Sequence, residues 1–357
     1  MMSERVVQKH GATMDVGDEL HLLHKLLSSP AAGSVRSVIV NYLEPTTEYQ
    51  DSVTLLVSIF RQSPNIRYLE GNLRKAWDLN LAWVGSTDVL PTKTCSVPFL
   101  RFLRLQNVDE KTVFDALRLA SNVEFLTLYY ITAVEQLDMS VPLPLRIRAV
   151  SFTAAPSELP IHLFVIESSI DSIRSMSIPT CYQGVAAVLH QHRERHRVVH
   201  LDLHSTLDDY CLDDPDTPCF YTQEILDQEL AYLVALSVAC PRLAHLEIRG
   251  VCQEILRLFL ETIQRPLLSL AARCGRCLHL KGNEGELIVS MLEENHRQLV
   301  RLRLLLVDRY NGLSPRLKDM CRRRRIILED NSDLIKPVSR YGGSPSVLGK
   351  CEALRRA

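Results

Sequence analysis

His200, Asp202 and His204 alternate along one apolar stretch, Val198-Val199-His200-Leu201-Asp202-Leu203-His204. Two imidazoles and a carboxylate are zinc-ligand types, and an extended strand puts all three on one face. Same-face neighbours on a strand sit roughly 6.5 Å apart, so these three converge on one ion only around a bulge. They define a metal-dependent enzyme as the catalytic alternative. The same residues also read as a polar recognition face, with His190, His192 and His196 just upstream at a solvated helix end.

Other chemistry-bearing groups are sparser. Cys274 and Cys277, with His279 nearby, make a single CxxC, where a structural zinc site takes a second pair. Cys240 or Cys252 would have to be brought in by the fold, so the expectation is reduced thiols, no bound metal and no cofactor. Arg322 to Arg325, with Arg316 and Lys318 upstream, offer either a nucleic-acid or nuclear-localisation patch or the solvated side of a last helix. Asp208, Asp209, Asp213, Asp214 and Asp216 concentrate negative charge in one insertion. No Gly-rich phosphate loop, nucleophile elbow or HExxH is present.

The elements that must position these groups follow a repeated skeleton: an apolar residue, then apolar residues three and five positions later. It occurs at Val35, Val38, Val40; more weakly at Ile66 and Leu69; then at Leu100, Leu103, Leu105; Val123, Leu126, Leu128; Ile147, Val150, Phe152; Ile173, Met176, Ile178; and Val198, Leu201, Leu203. From Leu100 onward the steps are 23, 24, 26 and 25 residues. That period matches the roughly 20–29 residues of a leucine-rich repeat. Leu243, Leu246, Ile248 follow beyond the acidic insertion, then a poor unit at Leu267, Leu270, Ala272 and a good one at Leu299, Leu302, Leu304. Helical spacing separates them, at 18–27, 50–61, 109–120 and 317–325, and 326–328 reads as a closing strand.

One strand and one helix cannot bury their apolar sides alone, but stacked units can. The expected fold is therefore α/β, a leucine-rich-repeat solenoid of the ribonuclease-inhibitor-like horseshoe type, with a curved parallel sheet and outer helices. Its organisation would be a flexible N-terminus over 1–17, a repeat domain over 18–330 interrupted by the acidic insertion over 205–221, and a flexible basic tail over 331–357. In each skeleton the residues flanking the fourth position face outward. Those positions give a concave partner-binding face of Tyr68, Glu70, Phe102, Arg104, Phe125, Tyr129, His200, Asp202, His245, Glu247, Arg301 and Arg303. Between the aromatic and the His-rich units the positions are small: Ala149, Ser151, Ser175 and Ser177. Aromatic residues and Arg are the types that dominate interface energetics.

The phrases Ser63-Pro64-Asn65-Ile66-Arg67-Tyr68-Leu69, Ser121-Asn122-Val123-Glu124-Phe125-Leu126-Thr127-Leu128 and Cys240-Pro241-Arg242-Leu243-Ala244-His245-Leu246-Glu247-Ile248 each run from a helix end into a strand. In this the chain resembles the leucine-rich repeats of F-box proteins, the divergent fungal ones above all, over about 18–330. The resemblance implies a non-enzymatic substrate receptor of a ubiquitin ligase, reaching a Skp-type adaptor and cullin through an F-box. Only some 17 residues precede the first expected helix, without the Leu-Pro phrase that opens an F-box. A formal net charge of −1 makes nucleic acid an unlikely obligatory partner. Ten cysteines without framework spacing point to free thiols in a reducing compartment. With no secretory h-region at the N-terminus and no apolar run longer than that near 230–239, the expectation is no membrane and a cytoplasmic or nuclear protein.

Overall fold

The computed structural model describes residues 12–16, 35–40, 65–72, 99–106, 108–134, 139, 142–153, 158–205, 223–274, 284–307 and 313–330. The helices expected over 18–27 and 50–61, both tryptophans, nearly all of the acidic insertion, Cys277, His279 and the tail from 331 lie outside them. The fold is α/β, and the chain divides into two compact units, Met1–Asp202 and Leu203–Ala357.

The first unit carries strands β1 (Ala12–Val16), β2 (Val35–Val40), β3 (Tyr68–Asn72), β4 (Phe102–Gln106), β5 (Phe125–Tyr129), β6 (Ala149–Thr153) and β7 (Ser175–Pro179), each parallel to the next in chain order. Helices α1 (Glu110–Leu119), α2 (Pro160–Ser168) and α3 (Gln183–Gln191) belong to it. Strand β8 (His200–His204) crosses the division between the units. The second unit has α4 (Gln223–Ala239), β9 (His245–Val251), α5 (Gln253–Thr262), β10 (Ser269–Cys274), α6 (Glu284–Glu293), β11 (Leu304–Val307), α7 (Pro315–Arg324) and β12 (Ile327–Asp330). Its four strands, β9 to β12, are again parallel and in chain order.

The skeleton explains the core. Leu103, Leu105, Leu126, Leu128, Val150, Phe152, Met176 and Ile178 are all buried, as are the first positions Leu100, Val123, Ile147, Ile173 and Val198. Phe152 shows what the inward side meets: its ring stacks on His162 of α2, 4.5 Å between centroids. Strand residues between the buried ones lie on the opposite, open face, as the alternating burial of β4 and β5 shows.

Two boundaries differ from the sequence reading. The N-terminus, expected to be loose over 1–17, contains β1, paired in parallel with β2. Ala12-Thr13-Met14-Asp15-Val16 alternates apolar and polar residues with period two, a strand pattern too short to stand out in a polar surround. The last long unit is shifted by three residues. Leu268 accepts, at its carbonyl, the N–H groups of Arg303 and Leu304, and Ser269 pairs with Leu304. The skeleton there is Leu302, Leu305, Val307, not Leu299, Leu302, Leu304. Leu302 to Val307 is apolar at every position but Arg303, so the pattern alone fits either register.

Candidate interaction surface

The open face of the first unit is built around an aromatic ladder. Tyr68, Phe102 and Phe125 occupy matched register positions on β3, β4 and β5. Phe102 and Phe125 stack face to face, 4.5 Å apart at 7°, and Tyr68 lies 6.0 Å from Phe102 at 38°. Strand spacing of about 4.8 Å imposes this, because rings on in-register neighbours have nowhere else to go. Phe102 is 42% exposed even so. Arg104, Thr127 and Tyr129 continue the face half-buried, and Tyr129 packs edge-on to Tyr130, 4.3 Å away. Phe99 and Tyr130 are exposed beside it. Glu70 lies on β3, and its side chain is outside the described residues.

The polar outward residues behave differently. His200, expected as an exposed contact, is 7% exposed, and its Nδ1 is 2.7 Å from the Ser175 hydroxyl on β7. Ser177 donates to Asp202 at 2.8 Å. Small serines on one strand thus let longer polar side chains on the next reach across and bond. The second unit repeats the device, with His245 Nδ1 2.8 Å from Ser269 Oγ. A Ser–His contact of this length has the reach of a nucleophile–base pair. Here both members are buried, and the carboxylate on the same strand bonds Ser177 rather than orienting the imidazole. Burial holds the His200 pKa below its ordinary value, against the pull of Asp202. The arrangement is a cross-strand polar ladder. Among the described residues no three His, Cys, Asp or Glu side chains group as metal ligands, so His200, Asp202 and His204 share a face without converging. Sequence reading placed the serines on the face but missed the ladder, whose signal is Ser and His at the same skeleton position in successive units.

Two further expectations are corrected in the second unit. Glu247 is 4% exposed on β9, between the half-buried His245 and Arg249, with Arg249 3.4 Å from its carboxylate. Arg301 and Arg303 lie ahead of β11, not on its face, and the positions they were given belong to Leu304 and Leu306. The basic run on α7 is partly spent within the unit. Arg324 donates to the Leu292 carbonyl and to Asn295, and Arg322 and Arg323 pair with Asp319.

Just ahead of the strands lies a column that sequence reading passed over. The second skeleton residue of successive units is Arg67, Arg101, Glu124, Arg148 and Arg174. Each accepts, through its carbonyl, the N–H groups of the second and third residues of the next unit at 2.7–3.1 Å. Glu124 pairs with both neighbours, Arg101 at 3.6 Å and Arg148 at 3.3 Å, and Arg101 also donates to the Asn122 carbonyl. The signal was available: Arg recurs at one skeleton position across units.

Support for the face comes from carboxylates that cap helices in neighbouring repeats. Glu110 accepts from Ile161 N at the start of α2, and Glu158 accepts from Gly184 N and Val185 N at the start of α3, both at 2.7 Å. These are charge-assisted bonds at the positive end of a helix dipole. Desolvation raises the Glu158 pKa, and the two backbone bonds oppose that rise. A Cβ on Gly184 would stand 2.7 Å from the Glu158 carboxylate, so a larger residue there would push that carboxylate aside. His162 is sandwiched between Phe152 and Tyr182, and burial pushes its pKa down to about 3.

No helix among the described residues is long and apolar enough to cross a membrane. The sequence matches no family model and no curated protein.

Proposed function

We propose that this chain is a leucine-rich-repeat protein and a non-catalytic interaction module, binding a protein partner on the open sheet face of the first unit. The observation that carries the reading is the ladder Tyr68–Phe102–Phe125, with its central ring 42% exposed on a face otherwise lined by polar side chains. Exposed aromatics held rigidly by their neighbours lose little entropy on contact, which is what interface anchors need. The repeat period near 25 residues and the parallel strands in chain order support the architecture.

The test is quantitative affinity capture from cell lysate with three proteins: wild type, Phe102→Ser, and Val300→Ser as an exposed apolar control in the second unit. Partners retained by Val300→Ser and lost by Phe102→Ser, at unchanged melting temperature, are the expected result. A partner set indifferent to Phe102→Ser overturns the surface assignment. A Skp-type adaptor and cullin among the partners would identify the ubiquitin-ligase form of the reading.

A further inference from the structure

We infer that the partner segment recognised by the first unit is an extended acidic polypeptide lying across the N-terminal ends of strands β3 to β7. This rests on the reading of the first unit as a protein-binding face and adds the chemistry of what is bound. The carrier is the column Arg67, Arg101, Glu124, Arg148 and Arg174. Its backbone is pinned by paired hydrogen bonds from strand to strand, so the side chains are spaced like the strands, roughly 4.8 Å apart. Four such steps span about 19 Å, the length of about six extended residues.

The charge is one-sided. Arg67, Arg148 and Arg174 are exposed, and Arg146 stands exposed two residues before Arg148, while the exposed Arg197 acts on the carboxylate of Asp171. Glu124 is the acid within the column, and it lies between two guanidiniums, leaving Arg101, Glu124 and Arg148 with a net positive charge. Arg67 and Arg174 make no ion pair among the described residues. A fixed row of guanidiniums matches carboxylates at the spacing of an extended chain. The next residue along from Arg67, Arg101 and Glu124 is in each case a ladder aromatic, so an acidic segment here runs alongside the rings.

The rings decide between polyanions. Non-specific single-stranded nucleic-acid sites offer open aromatic faces to bases. Here Phe102 and Phe125 turn one face each on the other at 4.5 Å and 7°, and Tyr68 lies 6.0 Å from Phe102, so the central ring offers a partner mainly its edge. Edges suit an apolar side chain between carboxylates.

Fluorescence anisotropy tests this on the full chain. The probes are a labelled peptide of about eight Asp and Glu residues around one Phe, its Lys counterpart and a labelled oligothymidine of similar length. The proteins are wild type, Arg148→Glu with Arg174→Glu, and Arg265→Glu as an exposed charge control in the second unit. The expected result is binding of the acidic peptide alone, weakened at least about tenfold in the double variant and unchanged in Arg265→Glu. Melting temperature establishes that the double variant is folded. Equal affinity of the double variant and wild type overturns the inference, as does oligothymidine binding in place of the acidic peptide. Neither result decides the protein-binding reading, which fails if captured partners ignore Phe102→Ser.

Discussion

The two units use one skeleton for opposite purposes on their open faces. In the first, the register positions between the buried leucines hold Phe102, Arg104, Phe125 and Thr127, none of them buried. In the second, the equivalent positions on β10 and β11 hold Ala271, Leu304 and Leu306, each 2% exposed and clustered together. The column ahead of the strands diverges too: Arg67, Arg101, Glu124, Arg148 and Arg174 in one unit, Ala244, Leu268 and Arg303 in the other. An open face in a parallel repeat is thus not a binding face by default. Across β10 and β11 of the second unit it has become a further layer of core, whereas β3 to β5 of the first unit keep aromatic edges in solvent beside a row of guanidiniums.

The sharpest way to break that comparison is to truncate the same face in both units. Leu306→Ala removes a buried side chain whose strand is apolar throughout, and it should destabilise the protein by about 2–5 kcal/mol. Chemical denaturation measures it. A loss below about 1 kcal/mol would mean that Leu306 behaves as a surface residue and that the units do not differ in the way described.

Buried His162 of the first unit and buried thiols of the second should act at opposite extremes of pH, with Tyr182 of the first unit, its pKa raised by burial, adding to the alkaline side. His162 of the first unit keeps its folded pKa near 3, while the unfolded chain takes up that proton near 6.5. Between those values the unfolded state binds more protons, so the contribution is complete above pH 6.5 and is lost as pH falls. The loss approaches about 1 kcal/mol per pH unit. His200 is shifted in the same direction, whereas Glu158, with its raised pKa, acts in the opposite sense. In the second unit Cys240 and Cys321 are pushed up to about 12 and about 11 by burial. Their unfolded thiols ionise near 9, so their contribution is lost as pH rises above that. His162→Phe should flatten the acid limb of the melting-temperature profile, and Cys240→Ala the alkaline limb. Flattening of the same limb by both variants would remove the distinction.

How much of this was legible in the chain depends on contrast between neighbouring residues. Leu103, Leu126, Val150 and Met176 stood out because a polar residue, Arg104, Thr127, Ser151 or Ser177, separates each from the next buried position, and their strands lie where the skeleton put them. At Leu302 to Val307 the contrast vanishes, so Arg301 and Arg303 were assigned to a face they do not occupy. Burial of His200 and Glu247 was not legible for a different reason. Alternation says which side of a sheet a residue takes and nothing of what else covers that side. The capping by Glu110 and Glu158 joins residues 51 and 26 or 27 positions apart, and no local pattern encodes such a pair.

The smallest expected effect is the counterpart of Leu306→Ala in the first unit. Phe102→Ala deletes one close stack, with Phe125, and one looser tilted contact, with Tyr68. Aromatic pairs contribute about 0.5–1.5 kcal/mol beyond the area they bury. Phe102 is 42% exposed, so the transfer term is well below that of a fully buried ring. The variant should therefore lose about 1 kcal/mol by denaturation, several-fold less than Leu306→Ala. Its effect on partner capture should be the larger one. A ring held edge-out by its neighbours adds little to folding and is already ordered for contact, so stability and binding separate at this residue. At Leu306 they cannot separate, because unfolding accounts for any loss of binding. Equal destabilisation by the two variants would make the ladder a core element like the leucine cluster, and the reason for placing the partner on the first unit would go with it.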